Sequence, residues 1–209
     1  EPTLALLDYT LPDALDGEII DLCTDRGIPS IVITGNFSDD LQEFLWSKKI
    51  LDYVIKEGAH SLSYILDLIE QFVSNPDTGI LIVDDSKVAR KHLESILKPY
   101  HFQIFHAADG LEALEVLDSN SQIKLVLTDY SMPRCDGFEL TRKIRQNWPV
   151  EKLAVIGLSA KGSHTLAVKF IKYGANDFLN KPFLSEMLMC RINQNLKLSV
   201  KRTPRDGEG

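Results

Sequence analysis

Little in this sequence supports covalent cross-linking, a metal–thiolate centre or a membrane span. Only three cysteines occur, Cys23, Cys135 and Cys190, and their odd number, wide separation and lack of a C-x-x-C pair exclude a disulfide framework and a zinc–thiolate site. No apolar run approaches the ~18 residues of a membrane helix, and a start reading Glu1-Pro2 shows no signal peptide. Basic excess is also lacking. The net charge is -7, which disfavours nonspecific binding to nucleic acid or acidic membrane, although Lys197, Lys201, Arg202 and Arg205 make the tail locally basic. The expectations are a reducing, cytoplasmic setting, no membrane partner and no direct nucleic-acid partner. The five histidines (His60, His92, His101, His106, His164) are scattered without metal-ligand spacing. The chain opens without Met and closes Asp206-Gly207-Glu208-Gly209, so both ends are open to being cloning boundaries.

What is present is ordinary globular composition, 44% hydrophobic and 25% charged, long enough for roughly one to two domains. The informative stretch is Lys124 to Glu139, KLVLTDYSMPRCDGFE. Leu125, Val126, Leu127 and Thr128 read as a short buried strand that ends at Asp129. Met132-Pro133 and Asp136-Gly137 then mark a turn before a helical pattern, so Asp129 falls beyond a strand's carboxyl end, where open α/β sheets bind ligands. The expectation is an exposed carboxylate.

Three further strand ends carry reactive groups. Gly79 to Val83 runs into Asp84-Asp85-Ser86, Leu153 to Leu158 into Ser159, and Asp177 to Asn180 into Lys181-Pro182. Ser86 with the acidic pair also reads as a helix N-cap. Three clustered carboxylates repel one another by several kcal/mol, about 4 for a pair ~4 Å apart at an effective dielectric of 20, so such a cluster calls for a cation.

The first half repeats the second. Leu4 to Pro12 (LALLDYTLP) matches Leu125 to Pro133 (LVLTDYSMP), Ile31 to Thr34 answers Val155 to Ser159, and Asp52 to Lys56 answers Asp177 to Lys181. Thr34 to Lys56 and Ser159 to Lys181 both span 22 residues, whereas acid to hydroxyl spans 26 in the first copy (Asp8 to Thr34) and 30 in the second, a difference a shortened helix or loop explains. Before Asp129 there is room for a full block: the strand Ile80 to Val83, a helix Lys87 to Leu97, a strand Gln103 to His106 and a helix Gly110 to Leu117. Before Asp8 there are seven residues, so the first copy lacks an acidic pair and two strands, leaving the strand around Leu6 as an uncovered edge. Leu62, Ile65, Leu66, Leu68, Ile69, Phe72 and Val73 form a helical stripe that closes the first copy. A last helix, Leu184 to Leu198, presents Met187, Leu188, Ile192, Leu196 and Leu198 on one side. The divisions expected are a partial domain over 1–74, a linker over 75–79, a complete domain over 80–198 and a polar tail over 199–209.

On these motifs, residues 78–198 resemble a complete receiver domain of bacterial two-component response regulators, and 1–74 a truncated, degenerate second copy. The resemblance implies an α/β, flavodoxin-like doubly wound fold with a parallel five-stranded sheet in the order 2-1-3-4-5 and a partial copy of it before. It implies a phosphorylation-activated switch. Asp129 would accept a phosphoryl group from a sensor histidine kinase or phosphotransfer protein, with Mg²⁺ held by Asp84, Asp85, Asp129 and Ser131. Lys181 would neutralise charge, Ser159 would donate to the phosphoryl oxygens, and Phe178 would turn inward as the switch aromatic. Ser131 and Lys161 would flank the attacking water in self-catalysed dephosphorylation, and Lys181-Pro182 would be cis. Output by homodimerisation or partner binding follows from the same likeness. Two other readings stand beside it: the regulatory part of a longer diguanylate cyclase or other output protein, since Arg191 to Arg205 resembles the connector in tandem-receiver regulators, and a constitutive scaffold. Lys56 is followed by Glu57-Gly58, and with no acidic pair Asp8 is not expected to be phosphorylated.

Overall fold

A computed structural model describes residues 3–11, 17–36, 38–160 and 164–202. Its contacts divide the chain into two compact units, one reaching to Ser74 and including Pro99–His101, the other running from Asn75 onward. Among the described residues no helix is long and apolar enough to cross a membrane.

The first unit holds β1 (Ala5–Asp8), α1 (Glu18–Asp25), β2 (Ser30–Thr34), α2 (Asp39–Ser47), β3 (Asp52–Ile55) and α3 (Ala59–Ser74). Its three strands are parallel in the order β1-β2-β3, with Asp8 opposite Ile33 and Thr34 opposite Ile55. Ile20, Val32, Leu45 and Ile50 form the core. β1 is an edge strand of this sheet, and Leu6 on it is half exposed. The shorter acid-to-hydroxyl spacing has its counterpart in a helix of 8 residues, α1, where the second unit has 11. Only part of the stripe on α3 is used: Ile65, Leu68 and Phe72 are buried, whereas Leu62, Leu66 and Val73 are exposed. Pro12 lies outside the described residues.

The second unit holds β4 (Gly79–Val83), α4 (Lys87–Leu97), β5 (Gln103–Ala107), α5 (Gly110–Ser119), β6 (Ile123–Asp129), α6 (Gly137–Asn147), β7 (Ala154–Ser159), α7 (His164–Lys172), β8 (Asp177–Asn180) and α8 (Ser185–Arg202). Five parallel strands run β5-β4-β6-β7-β8, which is the 2-1-3-4-5 order expected for a flavodoxin-like doubly wound sheet. Every residue of β4 and β7 is buried, as a parallel sheet covered on both faces requires, and this is why these strands read as continuous apolar runs. Helices start on side-chain caps: Ser86 Oγ accepts from the Ala89 N–H, Asp109 Oδ1 from Leu111 and Glu112, and Asp136 Oδ1 from Glu139.

Gly79 opens β4, as its apolar run implies, and Asn75–Asp77 before it forms a 3₁₀ turn with Asn75 buried. The last helix continues through Arg202, four residues beyond Leu198, because Asn-Leu-Lys-Leu-Ser-Val-Lys-Arg holds no breaker to stop it. Met187 is exposed, and Met189 takes the inward place beside Leu188, Ile192 and Leu196. The side chain of Leu198 and residues 203–209, Arg205 among them, lie outside the described set.

Candidate functional site

Parallel strands deliver their carboxyl ends to one edge, and the second unit gathers its polar groups there. Asp84 follows β4, Asp129 ends β6, Ser159 ends β7 and Lys181 follows β8. Asp129 pairs with Leu158 across β6 and β7, and Ser159 with Asn180 across β7 and β8, which places the aspartate, hydroxyl and lysine on successive strand ends. The Lys181 N–H donates to the Ser159 carbonyl at 2.8 Å.

Lys181 Nζ joins the two acids. It donates to Asp129 Oδ1 at 2.6 Å and to Asp84 Oδ2 at 2.8 Å, with side-chain exposures of 24%, 15% and 4% respectively. Asp129 is therefore largely enclosed, not the exposed carboxylate expected, since β6 is the central strand. Burial disfavours the Lys181 ammonium, but its hydrogen bonds to Asp129 and Asp84 outweigh it and raise its pKa above the ordinary lysine value.

Backbone donors satisfy the remaining oxygens. The Ser131 N–H donates to Asp129 Oδ2 at 2.8 Å and the Ser86 N–H to Asp84 Oδ1 at 2.9 Å. Arg90 on α4 donates to the Asp84 carbonyl at 2.5 Å. Asp85 and Ser131 are exposed and Ser159 is buried. Gly137 opens α6 directly against this site: a Cβ there would lie 2.4 Å from the Asp129 carbonyl oxygen, so only glycine lets the helix begin so close. Lys181-Pro182 is cis.

Asp84 and Asp129 converge on the Lys181 ammonium, which meets the repulsion between them. The donors that this edge offers are all hard oxygens, from the carboxylates and the main chain. That set fits Mg²⁺, which keeps much of its water shell and takes one or two carboxylates, better than a softer metal.

Phe178 lies opposite Gly157 on β8 and β7, half-buried, its ring centroid 5.4 Å from that of Phe170. Phe170 is fully buried and meets Phe138 at 4.4 Å and Tyr130 at 6.4 Å, so rings run from the residue after Asp129 to Phe178. Phe170 was not singled out from sequence; its signal is only an apolar position in a helical pattern. Lys161 lies outside the described residues.

The first unit repeats a reduced version. Lys56 Nζ sits 2.6 Å from Asp8 Oδ2, and the Thr10 N–H donates to Asp8 Oδ1 at 3.0 Å. The Lys56 hydrogen bond, helped by Thr10, holds the Asp8 carboxyl below its usual range. Thr34 is buried and its hydroxyl donates to the Asn36 carbonyl at 3.0 Å.

Residues 80–193 match the family model of the response regulator receiver domain. The chain belongs to the response regulator receiver family. Its relatives include the chemotaxis protein CheY1 of Helicobacter pylori, 30% identical over 54% of this chain and 92% of that protein. The two-component response regulator ORR11 of Oryza sativa subsp. indica is 35% identical over 49% of this chain and 70% of that protein. Among solved structures, a two-component system response regulator/GGDEF domain protein superposes with a TM-score of 0.81 and 38% identity, over 96% of this chain and 82% of that one. CheY in a CheX–CheY–BeF₃–Mg²⁺ complex from Borrelia burgdorferi gives 0.54 and 30%, over 57% and 89%. The protein thus carries a receiver domain of the phosphorylation-activated, CheY-like kind, and the first unit is a partial copy of that fold. Receivers as a family use Mg²⁺ at the phosphorylation site, and they engage histidine kinases or phosphotransfer proteins and output domains.

Proposed function

We propose that Asp129 is the phosphoacceptor of this receiver and that the protein is a two-component switch whose first unit, over 1–74, is a degenerate receiver without an acceptor function. The observation that carries the reading is the Lys181 ammonium shared between Asp129 and Asp84 at the carboxyl edge of the sheet.

Phosphoryl transfer asks for positioning and charge neutralisation more than for covalent assistance from the protein. An Asp129 carboxylate oxygen attacks the phosphorus of a phosphohistidine on a sensor kinase or phosphotransfer protein. The new P–O bond forms as the P–N bond breaks, and the imidazole leaves with the electron pair and takes a proton. Asp84, Asp85, Asp129 and the Ser131 carbonyl are the residues that would hold Mg²⁺, which when bound supplies positive charge to the phosphoryl oxygens. Lys181 remains within reach of Asp129 and offsets the charge that gathers there. The Ser131 N–H keeps the other carboxylate oxygen in place.

After transfer the site carries roughly -1.5 to -2 charges with new acceptor oxygens. Ser159, buried on the neighbouring strand end, turns its hydroxyl toward one of them, and Phe178 follows inward against Phe170. A switch from 1:99 to 99:1 needs about 5.5 kcal/mol of differential stabilisation, which a charge-assisted network approaches. Output is by self-association or by a partner on the changed surface, in a cytoplasmic setting.

A second reading concerns what is switched. Similarity over nearly the whole chain to a response regulator/GGDEF domain protein favours a regulatory role within a longer protein of that type, with α8 leading toward the output domain. The test of the acceptor is mass spectrometry after incubation with acetyl phosphate and Mg²⁺. One phosphoryl group is expected on the wild type, none on Asp129→Asn and one on Asp8→Asn; uptake by Asp129→Asn would overturn the assignment.

A further inference from the structure

The segment Tyr130–Asp136 joins the end of β6 to α6 and contains Ser131, and its later residues are fastened to the start of α5. Arg134 carries φ +63°, in the left-handed region that a residue with a Cβ avoids unless something holds it there. Its guanidinium pairs with Asp109 Oδ2. Asp109 is itself fixed: its side chain is 4% exposed, and Oδ1 accepts the N–H groups of Leu111 and Glu112 as the cap of α5. Beside the pair, the Gly110 N–H donates to the Cys135 carbonyl at 3.2 Å, and a Cβ on Gly110 would lie 2.5 Å from Cys135 Sγ. The start of α5 and the far end of the segment are thus docked backbone to backbone, with one ion pair across the junction. Burial opposes ionisation of Asp109, but Arg134 and the two N–H groups prevail and hold its carboxyl below the ordinary range.

We infer that Asp109 and Arg134 are positioning residues for the metal-binding segment: their ion pair holds Tyr130–Asp136 in the arrangement that presents the Ser131 carbonyl to a divalent cation beside Asp129. The inference rests on the reading of that edge as the Mg²⁺ and phosphoacceptor site. Neither side chain touches the cation or the phosphoryl group. They act as the outer partners of metal ligands do, and loss of such partners typically costs 10- to 100-fold in metal affinity.

Charge and position predict opposite signs here, which makes the pair testable. Removing the Arg134 cation leaves the neighbourhood more negative, so electrostatics alone would tighten Mg²⁺ binding. Loosening the segment would weaken it. The experiment is calorimetric titration of the full chain with MgCl₂ for wild type, Arg134→Ala, Arg134→Lys, Asp109→Asn and the double variant Asp109→Asn/Arg134→Ala. Asn keeps the helix cap, so Asp109→Asn removes the pair without uncapping α5. Arg134→Ala is expected to bind Mg²⁺ about tenfold more weakly or worse, Arg134→Lys to recover part of the loss, and the double variant to be no worse than the worse single one. Hydrogen exchange should quicken at the Gly110 amide while the amides of β4 and β6 keep their rates, which separates local release from general unfolding. Arg134→Ala and Asp109→Asn binding Mg²⁺ as tightly as wild type or tighter would overturn the inference. Absence of Mg²⁺ binding by the wild type itself would instead strike the functional reading, and this inference with it.

Discussion

Replacing Lys181 by Met tests how the two acids are kept ionised inside the site. Asp84 Oδ2 and Asp129 Oδ1 lie 2.8 and 2.6 Å from the same Nζ, so they are at most about 5.4 Å apart. Two like charges at that separation repel by about 3 kcal/mol at an effective dielectric of 20, and the low exposure of all three side chains leaves little solvent to screen them. Lys181→Met should therefore cost about 3 kcal/mol of unfolding free energy at neutral pH in the presence of a chelator, the range found when one partner of an enclosed ion pair is removed. The folded-state pKa of Lys181 lies above the ordinary 10.5, so its contribution is fully present below that pH and is lost only as pH rises through the raised value. The assay is urea unfolding in a Trp46→Phe background, where Trp148 reports on the second unit. Mg²⁺ should recover more stability in the variant than in wild type, because the cation relieves a repulsion that the lysine no longer does. A variant within about 0.5 kcal/mol of wild type in chelator, or one gaining no more from Mg²⁺ than wild type, would refute the reasoning.

Two further predictions concern the frame around the site. Arg145 donates to the carbonyls of Gly174, Trp148 and Leu153 and to Asn176 Oδ1, and burial pushes its pKa down to about 10. Arg145→Ala strands these acceptors and should cost about 3 kcal/mol, read as a fall of roughly 10 °C in the melting midpoint of the second unit; a fall under ~3 °C contradicts the assignment. The Asp109 carboxyl is held below 3.8, so its contribution is present above that pH and lost as pH falls through the lowered value. The acid-unfolding curves of wild type and Asp109→Asn should be apart at neutral pH and converge below pH 3.8, and a constant gap down to the acid limit would show that Asp109 titrates normally.

The sheet and the strand-end residues were legible because parallel strands covered on both faces leave uninterrupted apolar runs, and each run here stops on a polar residue. Asp84, Asp129, Ser159 and Lys181 need only that rule to be brought to one edge. The ion pair between Asp109 and Arg134 was not legible. The partners are 25 positions apart, and they meet only because Arg134 adopts a left-handed backbone that its residue type does not announce. Asp109 caps α5, and the Glu112 carboxylate three places on accepts the Ala108 N–H at 2.7 Å, a reciprocal pairing of the capping-box kind. Helix faces were overread for a different reason. Apolar residues on α3 cover more of its circumference than the sheet beneath can bury, so periodicity names Leu62 and Leu66 along with Ile65 and Leu68 and cannot rank them. On α8 Met187 and Met189, two positions apart, fall on different sides, and the helix outlasts its apolar pattern because good helix formers continue it.

The most direct test of the central claim is the site of phosphoryl attachment in the intact chain. With acetyl phosphate and Mg²⁺, peptide mapping should place one acid-stable, base-labile phosphoryl group on the peptide containing Asp129 and none on the peptide containing Asp8. A phosphoryl group found elsewhere, or uptake that persists when Mg²⁺ is chelated, would contradict the account.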